Sequence, residues 1–162
     1  SDTMRSGGLT RCFADALGVA CRMIEDNRLL AGGGATHVAL ARKLRRYAES
    51  IPGREQLGIE AFADALEVIP RVLAENSGLD PIDTLLQLVA EQVNGGDQSH
   101  HLGLDVVERK PVNAVEKGVL EPYLITRQSI AGATEAAISI LRIDDVLWAK
   151  QDPSMPESPE ME

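Results

Sequence analysis

The stretch LLAGGGATHVALARKL, residues 29–44, sets three consecutive glycines directly before a run with helical periodicity. Each glycine costs roughly 0.5–1 kcal/mol more to order than alanine, so three together require a backbone shape or a close approach that side chains forbid. From these residues alone two readings stand. Glycines ahead of a helix leave free N–H groups and a partial positive charge where an anion or nucleotide can approach. Equally, they let neighbouring elements pack closely. The order GGGATH has neither the Lys-Ser/Thr of a P-loop nor the G-x-G-x-x-G spacing of a dinucleotide fold, so neither mechanism is assigned.

On both sides of the triplet the apolar residues recur at helical spacing. Leu9, Phe13, Ala16, Leu17, Ala20 and Ile24 predict a buried stripe on a first helix over about 9–26, with Asn27 as a left-handed stop. A second helix over 35–50 points Leu40, Ala41, Leu44, Ala48 and Ile51 inward, and His37 on the same stripe reads as a packed histidine. A third spans 54–77, bent near Leu66 because Pro70 lacks a backbone donor, and ends at Gly78. The fourth opens on Asp80 as N-cap with Pro81 at its first position, and Ile82, Leu85, Leu86, Val89 and Val93 share one face.

Beyond that helix the texture changes. NGGDQSHH reads as a loop, LGLDVV at 102–107 as a short strand, NAVEKG as a helical turn closed by Gly118, and YLITR as extended. A last helix over 127–142 places Ile130, Ala133, Ala137 and Leu141 on its inner line, DDVLWA predicts a final strand, and the acidic, proline-containing QDPSMPESPEME predicts disorder. The expected class is mainly α with a minor sheet.

Composition narrows the function. A chain of 162 residues with 44% apolar and 25% charged residues is expected to form one soluble domain. No apolar run approaches the roughly 18 residues of a membrane span, and the N-terminus lacks the apolar core of a secretory signal, so a cytoplasmic protein without membrane partners is expected. The net charge of −9 argues against nucleic acid, and RKLRR at 42–46 reads as a solvated helix face. Cys12 and Cys21 fall on one helix roughly 13 Å apart, beyond disulfide reach. His100 and His101 lack neighbours at metal-ligand spacing, so no metal site is expected. No Ser-His-Asp set or H-E-x-x-H is recognisable. Asp15, Asp105 and Glu121 stand out only by lying near a glycine or a strand end, and Asp15, between Arg11 and Arg22, reads as one member of a surface ion pair.

Longer motifs carry more. DALGVACRMIEDNRLLAGGGA, REQLGIEAFADALEVIPRVLAENSGLDPIDTL, GLDVVERKP, EKGVLEP and ATEAAISILRIDDVL resemble, in this order, the C-terminal part of group II chaperonin subunits, the archaeal thermosome and its eukaryotic cytosolic relatives. The resemblance covers about residues 11–148. It implies the end of an intermediate domain over 1–25, the C-terminal half of a multihelical equatorial domain with a small β-hairpin and a C-terminal strand over 26–150, and the acidic tail over 151–162.

It also implies residue roles in a subunit that binds ATP or ADP with magnesium. Gly33 and Gly34 would let backbone lie against the sugar and base, Asp105 and Val106 would border the adenine, and Glu121 would accept hydrogen bonds from the ribose hydroxyls. Asp15 would be the catalytic carboxylate that orients or deprotonates the attacking water. The family's Gly-Asp-Gly-Thr-Thr phosphate loop with its magnesium aspartate, and its apical domain, have no counterpart in this sequence, so little ATPase activity is expected of the chain alone. Partners implied are ring subunits and, for the complete subunit, unfolded client proteins. Residues 1–8 meet the DAL segment abruptly and look like a cloning remnant or a cut-down junction. Apolar faces without their partners are expected to drive self-association, and a non-catalytic self-assembly module is the competing reading.

Overall fold

A computed structural model describes residues 2–143, with side chains from residue 8 onward. The DDVLWA strand and the acidic tail lie outside the described residues. The order is α1 (Asp2–Glu25), β1 (Leu29–Ala31), α2 (Ala35–Ala48), α3 (Arg54–Leu66), α4 (Val68–Asn76), α5 (Pro81–Asn94), a 3-10 turn (Gly96–His101), β2 (Leu102–Asp105), β3 (Lys110–Asn113), β4 (Leu120–Pro122) and α6 (Tyr123–Leu141). The chain forms two compact units, 1–126 and 127–162.

In the first unit α2 is the central element, meeting α3, α4, α5 and β2. Its inward line is small: Ala35, Val38, Ala41 and Ala48 are buried, with His37 among them as its spacing predicts. Arg45 reaches from α2 to the junction of α3 and α4, where its Nη2 donates to Asp64 Oδ1 and Glu67 Oε2 at 2.7 Å each. Glu67 is buried, and its carboxylate raises the Arg45 pKa above the ordinary guanidinium range against the opposing effect of burial, with Asp64 adding to it. The expected bend appears here as a full break, since Pro70 has no N–H to offer the Leu66 carbonyl and Glu67 relaxes to φ −74°, ψ −6°. Gly78 at φ +71° ends α4, letting Leu79 N–H return to Ala74 O at 2.9 Å.

α5 starts as its sequence dictates, with Asp80 Oδ1 accepting from Ile82 N at 2.9 Å and Asp83 N at 2.8 Å. Its buried face differs from the expected one. Leu88 and Gln92 point inward, Leu85 and Val89 are half-buried, and Ile82, Leu86 and Val93 are exposed. The cause is Gln92, a polar residue at the centre of the buried face. Its Nε2 donates to Ala35 O at 3.0 Å and Leu102 O at 2.8 Å, tying α5 to the start of α2 and to β2. A buried amide whose hydrogens are both used carries little of the penalty that polarity alone implies.

Five further expectations are corrected. α1 begins at Asp2, seven residues early, because Gly7 and Gly8 each weaken a helix by about 1 kcal/mol without supplying a stop. Its apolar stripe is exposed rather than buried, since no described element covers it. Asn27 is not left-handed; the helix ends instead at a clasp in which Asp26 Oδ1 accepts from Arg28 N at 3.0 Å and Nε at 2.9 Å. YLITR is the first turn of α6 and not extended, a case of context overriding the strand preference of Tyr, Ile and Thr. NGGDQSHH, expected as a loop, tightens into the 3-10 turn.

Two antiparallel pairs complete the unit. The hairpin β2–β3 matches Leu104 with Pro111 and Asp105 with Lys110. The second pair, β1–β4, joins segments about ninety residues apart and was not legible in the three-residue LLA. Of the second unit, the described part continues α6, where Thr134 Oγ1 donates to Ile130 O at 2.7 Å. Of the expected inner line only Ile130 is half-buried; Ala133, Ala137 and Leu141 are exposed.

Candidate functional site

The glycine triplet runs from β1 into the N-terminus of α2 as a strap between β4, β2 and α4. Gly32 N–H donates to Val119 O at 2.9 Å, and Gly33 O accepts from Leu104 N at 2.8 Å. Gly33 has φ +62° and Gly34 φ +76°, a left-handed backbone that side chains rarely adopt. A Cβ on Gly33 would stand 2.6 Å from Leu104 O, and one on Gly34 would stand 2.9 Å from Pro70 Cβ. Close packing against protein atoms therefore suffices to explain these glycines. Gly34 is buried beneath Pro70, whereas Gly33 is half-exposed.

The strap brings the other residues with it. Asp105 follows Leu104 at the end of β2, and its Oδ1 accepts from Val107 N at 2.8 Å and Glu108 N at 2.9 Å, an Asx-type turn that shapes the hairpin tip. Val106 and Val107 are exposed there. Below the tip, Glu108 pairs with Lys110 at 2.9 Å and with Lys117, and these ammonium groups, Lys117 foremost, lower its pKa to about 2.

Glu121 sits on β4 opposite Leu30, two residues before the strap. It is half-buried, and its Oε2 accepts from Thr126 Oγ1 at 3.2 Å, while Oε1 has no protein partner among the described residues. His37, buried on α2, leaves Nδ1 without a partner. Burial lowers the His37 pKa from its ordinary value, and the negative field of Glu121 opposes that shift. Neither neighbour of Glu121 was legible in the sequence: Thr126 meets it only because YLITR is helical and not extended, and His37 lies on a distant helix.

Gly33, Gly34, Asp105, Val106 and Glu121 thus lie on elements joined directly through the strap. Asp15 does not join them. It is exposed on α1, ten residues and about 15 Å before the end of that helix. Nor does it pair with either arginine among the described residues: Arg22 pairs with Glu25 at 2.6 Å instead. Among the described residues no group of three or more His, Cys, Asp and Glu side chains is placed to hold a metal ion, and no helix is long and apolar enough to cross a membrane. Cys12 and Cys21 are free and exposed.

Comparison with known proteins decides the family. Residues 7–151 match the model of the TCP-1/cpn60 chaperonin family. The chain belongs to that family. It is 52% identical over 143 residues to a thermosome subunit of Methanocaldococcus jannaschii, covering 88% of this chain and 26% of that one. It is 47% identical over 150 residues to the thermosome subunit beta of Methanothermobacter thermautotrophicus, covering 93% of this chain and 27% of that one. Its fold matches the open-state monomer of a group II chaperonin from Methanococcoides burtonii, with TM-score 0.72, 44% identity, and coverage of 83% of this chain and 33% of that one. The chain spans about a quarter of the length of the curated relatives it matches, and it corresponds in sequence and fold to a segment of a chaperonin subunit. The mainly helical class read from the sequence holds.

Proposed function

We propose that this chain supplies the adenine and ribose side of the nucleotide site of an ATP-dependent, protein-folding chaperonin subunit. In this reading residues 1–25 close the intermediate domain and 26–150 form half of the equatorial domain. The subunit is cytoplasmic, its neighbours are ring subunits, and its clients are unfolded proteins. Glu121 Oε1 accepts from a ribose hydroxyl while Thr126 holds Oε2. The half-buried Gly33 presents backbone to the nucleoside, and Asp105 and Val106 at the hairpin tip border the adenine. ATP, when bound, supplies the phosphoryl group. Its phosphates and magnesium are held by parts of the subunit outside this sequence, a reading supported by the described residues having no group of three or more His, Cys, Asp and Glu side chains placed to hold a metal ion. Asp15, carried on the projecting α1, acts as base only when α1 is brought over the site, which makes proton removal from the attacking water conditional on closure.

The observation that carries the reading is a carboxylate, Glu121, that keeps one oxygen uncommitted on the strand paired with β1, the segment leading into the half-buried Gly33. The test is calorimetric binding of ATP with magnesium to the full chain and to Glu121→Gln, which keeps the Thr126 hydrogen bond but weakens the acceptor. About a tenfold loss of affinity with an unchanged melting curve is expected. No measurable binding by the unsubstituted chain would overturn the proposal. Gly34→Val is a poor probe, since the left-handed backbone and Pro70 penalise it with or without ligand.

A second reading, a self-assembly module that ignores nucleotide, is favoured by the exposed apolar stripe of α1 and the exposed Ile82, Leu86 and Val93 of α5. Sedimentation separates the two: an oligomer at micromolar concentration whose size and stability do not respond to ATP belongs to the second.

A further inference from the structure

A cleft of about 490 Å3 opens between α2, β1 and the 3-10 turn. It uses none of the strap glycines, Asp105 or Glu121. Its size lies within the range of small-molecule sites. Its lining is part apolar, Leu29, Leu30 and Leu40, and part basic, Arg42, Lys43 and Arg46 from α2 with His100 and His101 from the turn. Spacing explains the wall: residues 36, 39, 40, 43 and 46 recur at three and four, so one face of α2 lines the cleft.

The charge pattern is the informative part. The chain has 25 acidic residues against 16 Lys and Arg, yet no carboxylate lines this cleft. Several cations elsewhere are held in ion pairs: Arg22 with Glu25, Arg28 with Asp26, Arg45 with Asp64 and Glu67, Lys110 and Lys117 with Glu108. Lys43 and Arg46 form no ion pair among the described residues. Arg42 is braced, its Nη1 donating to Gln92 O at 2.8 Å, which fixes the guanidinium at the cleft wall. Ser99 adds a hydroxyl at the rim without a protein partner among the described residues. A cavity lined by uncompensated cations and a greasy wall is complementary to an anion bearing an apolar body. The guanidinium fork together with a nearby ammonium suits a doubly charged phosphate better than a single carboxylate.

We infer that this cleft is a second ligand site, taking a small phosphate monoester with an apolar body, its phosphate between Lys43 and Arg46 and its apolar part on Leu29, Leu30 and Leu40. The site is independent of the nucleotide reading. RKLRR is therefore more than a solvated face: Arg45 staples helices, and three of its neighbours line a pocket.

The test is titration calorimetry of the full chain with hexyl phosphate, inorganic phosphate and hexanol. Hexyl phosphate is expected to bind at least about tenfold more tightly than either, and the Lys43→Gln/Arg46→Gln double variant to lose about that factor while its melting curve stays in place. Lys43→Arg is expected to retain binding, which separates charge from folding. Glu121→Gln is expected to leave hexyl phosphate affinity unchanged, so failure here and failure at the strap are distinguishable. The inference is overturned if hexyl phosphate binds no better than hexanol, if the double variant binds it as well as the unsubstituted chain, or if a single-stranded oligonucleotide displaces it at lower concentration than inorganic phosphate does.

Discussion

α1 and α2 have the same signature in the sequence, apolar residues at three-and-four spacing with charges opposite, and they meet opposite fates. On α2, Ala35, Val38, Ala41 and Ala48 are 0% exposed; on α1, Leu9, Phe13 and Ile24 are 73%, 69% and 86% exposed. The difference is in what surrounds them. α2 is enclosed by α3, α4, α5 and β2, whereas α1 passes along no second helix of its own unit. Periodicity reports that a helix has an apolar face, and leaves open what covers it. In a family whose subunits are about four times longer than this chain, a large apolar face without a cover marks where other chain belongs.

That contrast can be broken by substitution. The largest effect is expected in the enclosed region. Leu88→Ala empties a fully buried site on α5 and should cost about 2–5 kcal/mol in chemical denaturation; a cost as small as a surface change would mean the core is looser than drawn. A smaller effect follows from His37. Its pKa is lowered in the folded chain, so below the ordinary value of 6.5 the unfolded chain binds more protons, and stability falls as pH drops through 6.5. Glu121 is the charged group that faces it and works against the trend. Denaturation midpoints measured from about pH 7.5 down to about pH 5 should decline in the unsubstituted chain and flatten in His37→Asn; equal slopes would remove His37 as the cause. The smallest effect is expected on α1, where Phe13→Ala should change stability by less than about 0.5 kcal/mol, since little burial is lost. A loss comparable to that of Leu88→Ala would show that the chain in solution covers α1 with another copy.

Local signals were legible where a few adjacent residues suffice. Asp80 with Pro81 started a helix, Gly78 and Gly118 ended segments through positive φ, and Pro70 broke a helix near the expected turn. The motifs resembling chaperonins placed the family. Less legible was everything set by distant partners. The β1–β4 pair depends on the LLA segment finding LEP about ninety residues later, and Gln92 becomes a core residue only because two carbonyls, Ala35 O and Leu102 O, converge on it. Of the candidate site, close packing was one of the two readings the glycine triplet left open, but the atoms that press on Gly33 and Gly34, Leu104 O and Pro70 Cβ, come from distant segments that local spacing does not name. The surface pair of Asp15 with Arg11 does not form among the described residues, and Arg22, the other flanking arginine, turns to Glu25 on the same helix.

The clasp at the end of α1 has a mechanical corollary. Arg28 is gripped by Asp26 on one side, its guanidinium carbon lies 4.1 Å from the centre of the Tyr123 ring, and its carbonyl receives Tyr123 N–H at 3.0 Å. The clasp therefore ties the C-terminal end of α1, the helix that carries Asp15, to Tyr123, two residues along the chain from Glu121.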